Sequence, residues 1–161
     1  MIPAWLLDFG NGRRAAVGEL EQVQLLHEPD CHDVPGTPRH ARHVLLWSGR
    51  CVPVLDLAAW LDGAAASRER SARYLGIYAY DPPQHAESSS GAEPAPALDA
   101  AFGALWLAQP PQRVLVRDDE AAPLPDDGRP WSRISLSCFA HDSVRVPIID
   151  LRTIFSGALN E

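Results

Sequence analysis

Two aspartates at matched positions are the residues in this sequence that could do chemistry as a pair. Asp56 ends the phrase VPVLD of residues 52–56, and Asp150 ends the phrase VPIID of residues 146–150. In glycoside hydrolysis two carboxylates flank one cleft at about 5–9.5 Å and act as acid, base or nucleophile. The repeated phrase therefore raises the hypothesis of a small hydrolase that uses Asp56 and Asp150.

The surroundings of the two aspartates favour a structural role instead. Each follows a strand-forming run and precedes residues with helical apolar spacing. Aspartate is a preferred helix N-cap, because its carboxylate accepts an N–H of the first turn and suits the positive end of the helix dipole. An acid–base pair needs two different environments, whereas these two are alike. We therefore predict that both are helix caps, and we assign no catalytic residue. The apolar positions are Leu57, Trp60 and Leu61 in the first copy, and Leu151, Ile154 and Phe155 in the second.

A second group with possible chemistry is Cys31, His32, His40 and His43, which fall within thirteen residues. Thiolate and imidazole are the ligands of structural zinc, but Cys31 and His32 are adjacent and the spacing differs from that of zinc pairs. We therefore expect surface polar residues on a Pro-rich connection, with no metal and no cofactor. A ligand- or metal-binding barrel centred on Cys31, His40 and His43 remains a third hypothesis.

The elements that position these residues are mostly strands. Short apolar runs alternate with turn residues, and the Asn-Gly step at residues 11–12 is typical of a tight hairpin turn. Helical spacing of apolar residues occurs only in residues 20–26 and in the stretches after the two aspartates. Pro53 and Pro147 lack a backbone donor, which predicts a strand edge or a strand start for each. The predicted strand segments are 4–9, 15–20, 43–47, 51–56, 72–80, 102–108, 113–118, 133–140 and 143–150.

The bulk properties predict one domain, or two small lobes that share a core, spanning residues 1–161. Residues 81–100 are rich in Pro, Ser and Ala and poor in large apolar residues, so we expect a mobile surface loop there. The net charge of −7 disfavours nucleic acid and an anionic membrane surface as partners. Three cysteines without a CxxC spacing, and no apolar run long enough to span a bilayer, predict a cytoplasmic protein.

Residues 34–63, VPGTPRHARHVLLWSGRCVPVLDLAAWLDG, resemble the signature stretch of the CheW-like family, the adaptor domain of bacterial chemosensory arrays. Residues 102–119 and 141–157 resemble the later strands and the closing helix of that family. The positions that match the family pattern without a gap are Pro35, Pro38, Gly49, Pro53, Asp56 and Leu57.

The resemblance implies a mostly β fold of two intertwined SH3-like five-stranded β-barrel lobes with a few short helices. It also implies a non-enzymatic scaffold that couples the cytoplasmic tip of a methyl-accepting chemoreceptor to the regulatory domain of a CheA-type histidine kinase. In the family, lobe one contacts the kinase and the groove between the lobes accepts the receptor hairpin. Such an adaptor is recruited to membrane-associated arrays without inserting into the membrane.

The sequence departs from the family at positions of the expected partner surface. The Arg of the family's central motif falls on Ser48, its Asn on Leu46 and its Gly on His43, and the Glu of its N-terminal helix falls on Gln22 or Leu25. A more apolar partner face indicates a divergent adaptor. The alternative is therefore a type IV pilus or other specialised chemosensory system with a non-standard partner. The expected partner-binding residues are Leu20, Val23, Leu46, Ser48, Arg50 and Val54.

Overall fold

The computed structural model describes residues 1–63, 74–80 and 101–160. Over these residues the chain forms eleven strands, two short α-helices and several 3-10 turns. The expected mobile loop at residues 81–100 lies outside the described residues. The strands and helices are β1 (Ile2–Asp8), β2 (Arg14–Gly18), β3 (Gln22–His27), β4 (His32–Asp33), β5 (His43–Trp47), β6 (Arg50–Leu55), α1 (Leu57–Asp62), β7 (Tyr74–Tyr80), β8 (Ala101–Leu107), β9 (Gln112–Val116), β10 (Ser135–His141), β11 (Val144–Ile149) and α2 (Leu151–Ile154).

The strands form two sheets, which confirms the expectation of a mostly β fold. The terminal sheet has the order β10-β11-β2-β1-β9, so both ends of the chain contribute to it. The central sheet has the order β3-β7-β8-β6-β5-β4. Five strands were expected in each lobe, and the sixth strand of the central sheet is the two-residue β4 at its edge. The chain thus leaves the terminal sheet after β2, completes the central sheet, and returns.

Residues 20–26 are not helical, so that expectation is wrong. They contain the end of a 3-10 turn at Glu19–Glu21 and most of β3. β3 pairs antiparallel with β7, where Leu25 lies opposite Gly76 and His27 opposite Tyr74. Seven residues are too few for a stable isolated helix, whereas a strand at this place gains a full ladder of backbone hydrogen bonds.

The two prolines of the repeated phrase lie inside strands that have a neighbour on each side, which corrects the expectation of a strand edge or start. β6 pairs with β5 and β8, and β11 pairs with β10 and β2. The parallel pairing with the second neighbour begins at the residue after the proline, at Val54 opposite Ala104 and at Ile148 opposite Ala16. Because proline has no N–H to donate, it fits the position just before that ladder begins.

Phe155 links the two sheets. It follows α2, beyond the terminal sheet, and its ring stacks on Tyr80 of β7 with centroids 5.4 Å apart and an interplanar angle of 17°. The same ring covers Gly103 of β8 so closely that a Cβ atom on Gly103 would overlap it. Glycine is therefore required at position 103 by the close approach of an aromatic ring, not by a left-handed backbone.

We expect Gly103→Ala to lower the free energy of unfolding by about 1–3 kcal/mol, the usual cost of overpacking a filled site. Urea denaturation of the single variant measures this loss. In a Phe155→Leu background the added methyl meets a smaller, more adaptable side chain, so the same substitution should cost clearly less. An equal cost in both backgrounds would show that the ring contact is not the cause.

Candidate functional site

The two aspartates of the repeated phrase lie at the starts of α1 and α2. Asp56 Oδ1 accepts a hydrogen bond from the backbone N of Ala59 at 3.1 Å. Asp150 accepts from the backbone N of Thr153 at 3.3 Å and from Thr153 Oγ1 at 2.8 Å. Each carboxylate is thus bonded within its own helix, α1 after the central sheet and α2 after the terminal sheet. This arrangement gives no support to a catalytic pair in one cleft.

The backbone hydrogen bonds of the two cap residues are alike as well. The N–H of Asp56 donates to the carbonyl of His40 at 2.8 Å, and the N–H of Asp150 donates to that of Ile134 at 2.7 Å. His40 lies within the 3-10 turn Arg39–Ala41, and Ile134 directly follows the 3-10 turn Trp131–Arg133; each turn precedes the hairpin. The repeated phrase is therefore a structural unit of hairpin, aspartate cap and helix.

The histidines of the proposed metal group make local contacts. His43 Nε2 lies 2.9 Å from Asp33 Oδ1, across the β4–β5 pair, and its ring packs edge-on against Trp106 with centroids 6.2 Å apart. Across residues 1–63, 74–80 and 101–160, no three His, Cys, Asp or Glu side chains form a group that could hold a metal ion. The structure gives the metal-binding barrel no support.

Five of the six expected partner-binding residues lie on the surface. Leu20 is 92% exposed, Val23 45% and Leu46 68%, which are large values for apolar side chains. Ser48 and Arg50 are exposed as well. We refer to Leu20, Val23, Leu46, Ser48 and Arg50 as the docking surface.

Val54 is the exception, and the expectation that it lies on this surface is wrong. Its side chain is 1% exposed and belongs to a core cluster with Leu45 and Trp106. Side chains alternate between the two faces of a strand, and in β6 this alternation turns Pro53 outward and Val54 inward. A substitution at Val54 therefore acts on the core and not on a partner contact.

Trp47 brings the two parts of the docking surface together. Its indole Nε1 donates to Gln24 Oε1 at 2.9 Å, which ties β5 to β3, although these strands are not neighbours in the sheet. Its ring also packs on the Phe102 ring, with centroids 5.2 Å apart. The guanidinium carbon of Arg50 lies over the same Phe102 ring, 4.9 Å from its centroid. The exposed residues that flank Gln24 and Trp47 in the sequence therefore lie close to each other in space.

The position of the family's central Arg is taken by a tight turn residue. Ser48 and Gly49 connect Trp47 of β5 to Arg50 of β6, and both have a positive φ, 51° and 75°. A two-residue hairpin turn with two left-handed residues has the twist that neighbouring strands require. The exposed Arg50 lies two residues after Ser48, at the start of β6.

A shallow apolar groove lies between β5–β6 of the central sheet and the residues at and after the end of α2. Its volume is about 220 Å³, and one wall comes from the segment that leads into β5 and from β5–β6 themselves. The other wall is the end of α2 and the residues after it. Among the lining residues are Val34, Val44, Pro53, Ile154 and Phe155.

A network of charged groups joins the hairpin of the terminal sheet to α1. The buried guanidinium of Arg13 donates to Asp62, the last residue of α1, and the other Asp62 oxygen accepts from Arg129 Nε at 2.9 Å. Arg129 also donates to Asp127 at 3.0 Å, and Trp131 Nε1 donates to the same oxygen at 3.2 Å. The network pairs its charges with one another, so we assign it to structure and not to chemistry.

The pKa values of Asp127 and Arg129 in this network are shifted towards the charged forms. Partial burial raises the pKa of Asp127, but the hydrogen bonds from Trp131 and Arg129 outweigh it and hold that pKa below its usual value. Burial lowers the pKa of Arg129, but the hydrogen bonds to Asp62 and Asp127 outweigh it and raise that pKa overall. Both groups therefore stay ionised at neutral pH.

Comparison with known structures and families agrees with the observed fold. The chain has the fold of the scaffolding protein TtCheW from Thermoanaerobacter tengcongensis, with a TM-score of 0.68 over 96% of this chain and 93% of that chain. The two sequences are 11% identical. Residues 7–80 match the model of the family described as the CheW-like domain, which confirms the resemblance seen in the sequence. No curated protein sequence matches the chain.

Two further observations complete the description of the site. In the described part of the chain, no helix has the length and apolar character needed to cross a bilayer. Sequence reasoning did not single out Trp47 as the organiser of the docking surface, or Asp62 as the centre of the charged network. Asp62 carried a signal, because an aspartate at a helix C-terminus is unfavourable unless a cation lies nearby.

Proposed function

We propose that this chain is a non-enzymatic scaffold of a bacterial chemosensory array, working in the cytoplasm and coupling chemoreceptors to a CheA-type histidine kinase. The family match and the fold support a chemotaxis scaffold role in general. The finer assignment rests on the docking surface, where three large apolar side chains are exposed: Leu20 in the 3-10 turn before β3, Val23 on β3 and Leu46 on β5. Covering exposed apolar side chains at an interface removes them from water, which favours association.

The regulatory domain of the kinase is the partner that we propose for the docking surface. We propose that the apolar groove between β5–β6 and the end of α2 accepts the cytoplasmic tip of the receptor. The lining of this groove is mostly apolar, and the groove is open to an amphipathic helix. Leu46 and Ser48 stand where the family has polar residues. This observation favours the alternative of a pilus-associated or other specialised system, whose receptor presents a less charged face.

Replacing Leu46 by aspartate tests the docking surface directly. We expect Leu46→Asp to weaken binding to a CheA-type regulatory domain from the same organism by roughly 30-fold, the effect of losing an interface hot spot of about 2 kcal/mol. Isothermal titration calorimetry of the two purified proteins measures the change. The fold should be retained, because position 46 is exposed.

Leu136 of β10 provides a matched control. It is 69% exposed, almost the same as Leu46, but it lies on the terminal sheet. Leu136→Asp should leave the affinity within about twofold of the original. If both variants bind as the original chain does, the docking surface is misplaced; if the original chain does not bind the kinase domain, the coupling role itself is wrong.

A further inference from the structure

Arg14 differs from the other buried or half-buried arginines in the described part of the chain. Arg13 and Arg129 are paired with Asp62, and Arg129 also with Asp127. Arg14 is half-buried at the start of β2, yet none of the described residues forms an ion pair or hydrogen bond with its side chain. Asp8 lies opposite it in the β1–β2 pair, but Asp8 Oδ1 accepts from the N–H of Gly10 at 2.8 Å.

Arg14 lines a cavity of about 310 Å³ together with a second arginine, Arg145. The β1–β2 turn and the β10–β11 turn both border this cavity, through Gly12 and Ser143. Arg145 donates only to a carbonyl, that of Leu124 at 3.4 Å, and has no carboxylate partner within the described part of the chain. Two arginines that form no ion pair with a described carboxylate therefore line one cavity.

The acidic residues of the same cavity do not neutralise this pair. Asp127 lines it, but its oxygens accept from the backbone N of Arg129, from the Arg129 guanidinium and from Trp131. Asp126 also lines it and, among the described residues, makes no ion pair with either arginine. Among the residues that line this cavity, Arg14 and Arg145 are the positive groups outside any ion pair, and Asp126 is the negative one. Asp8 is a further negative group opposite Arg14 on β1, but it does not line this cavity.

We propose that Arg14 and Arg145 bind an oxyanion, a phosphate or carboxylate group, in this cavity. Guanidinium groups recognise such anions through paired N–H donors. The half-buried position of Arg14 strengthens the interaction, whereas Arg145 is exposed. The volume lies at the lower end of the roughly 300–1,000 Å³ of small-ligand sites, so the ligand is a small anion or one anionic side chain. Asp126 opposes the anion and sets a limit on its affinity.

The test uses the full chain labelled with nitrogen-15 and titrated with inorganic phosphate at constant ionic strength. Saturable shifts of the Gly12 and Ser143 amide signals are expected, and potassium chloride should not reproduce them. A parallel titration with glutarate distinguishes the two sources of the anion: the probe that saturates at the lower concentration identifies the group that the site prefers. Shifts that do not saturate with either probe, or that chloride reproduces, overturn the proposal.

Variants assign the effect to the two arginines. Arg14→Gln and Arg145→Gln should each weaken binding about tenfold, which is the loss of one charge-assisted hydrogen-bonding group. Asp126→Asn should tighten it, because a competing charge is removed. Arg14→Lys keeps the charge without the planar fork, so its affinity should lie between that of Arg14→Gln and that of the original chain. It also replaces Arg14→Gln if that variant does not fold. Arg42→Gln, an exposed arginine elsewhere, should change nothing, and unaltered affinity in both Arg14 variants refutes the site.

Discussion

Replacing Asp62 by alanine is expected to lower the free energy of unfolding by about 3–5 kcal/mol, because it leaves a buried cation without its counter-charge. Arg13 is buried, and Asp62 is the carboxylate that pairs with it. The second oxygen of Asp62 also holds Arg129, so both guanidinium groups lose a partner at once. Urea denaturation followed by circular dichroism measures the loss.

The matched control for this prediction is Asp119→Ala. Asp119 pairs with Arg117 at 2.9 Å, but both side chains are largely exposed. Surface ion pairs contribute about 0–1 kcal/mol, so this variant should be nearly as stable as the original chain. If Asp62→Ala costs no more than Asp119→Ala, the charged network is not a structural tie between the hairpin and α1.

Placing aspartate at position 54 should prevent the native fold from forming. The side chain of Val54 is enclosed by apolar residues of the central sheet, and an ionised carboxylate there would have no partner. Burying such a group costs more than about 4 kcal/mol, a large part of the total stability of a domain. Loss of the near-ultraviolet circular dichroism signal of the tryptophans is the expected observation.

Two comparisons make this result interpretable. Val54→Thr keeps the shape of the side chain and adds a hydroxyl, so it should fold with a loss of about 1–3 kcal/mol. Leu46→Asp carries the same charge on the adjacent strand but on the outer face, and it should remain folded. A stable Val54→Asp variant would mean that β6 presents its other face to solvent.

Several elements of the fold follow from local sequence. The predicted strand at residues 43–47 is β5 with the same bounds, and the left-handed φ values of Asn11 and Gly12 agree with the expected tight turn. Aspartate before an amphipathic run predicts a helix start, and both α1 and α2 begin there. These features are decided within a few residues, so a single sequence carries them.

The features that the sequence did not reveal depend on distant partners. β3 is a strand because β7 pairs with it. Val54 is buried because its side chain lies on the face of the central sheet that is covered by the core cluster with Trp106. The link from Asp62 to Arg13 joins residues 49 positions apart, and the link to Arg129 joins residues 67 positions apart. No local pattern encodes such pairings, so the charged network and the limits of the docking surface required the structure.

The return of the chain to its first sheet has a consequence for synthesis. In the terminal sheet, Ile2 of β1 pairs with Val116 of β9. The central sheet, in contrast, is formed by one continuous portion of the chain, between Gln22 and Leu107. During translation, the central sheet is therefore complete before the ribosome has made β9–β11. The opening hairpin must wait for them with its apolar face uncovered, and a long delay in finding distant strands exposes a nascent chain to aggregation. In the cell, the late arrival of the last strands should make this hairpin the part of the newborn protein that most needs a chaperone.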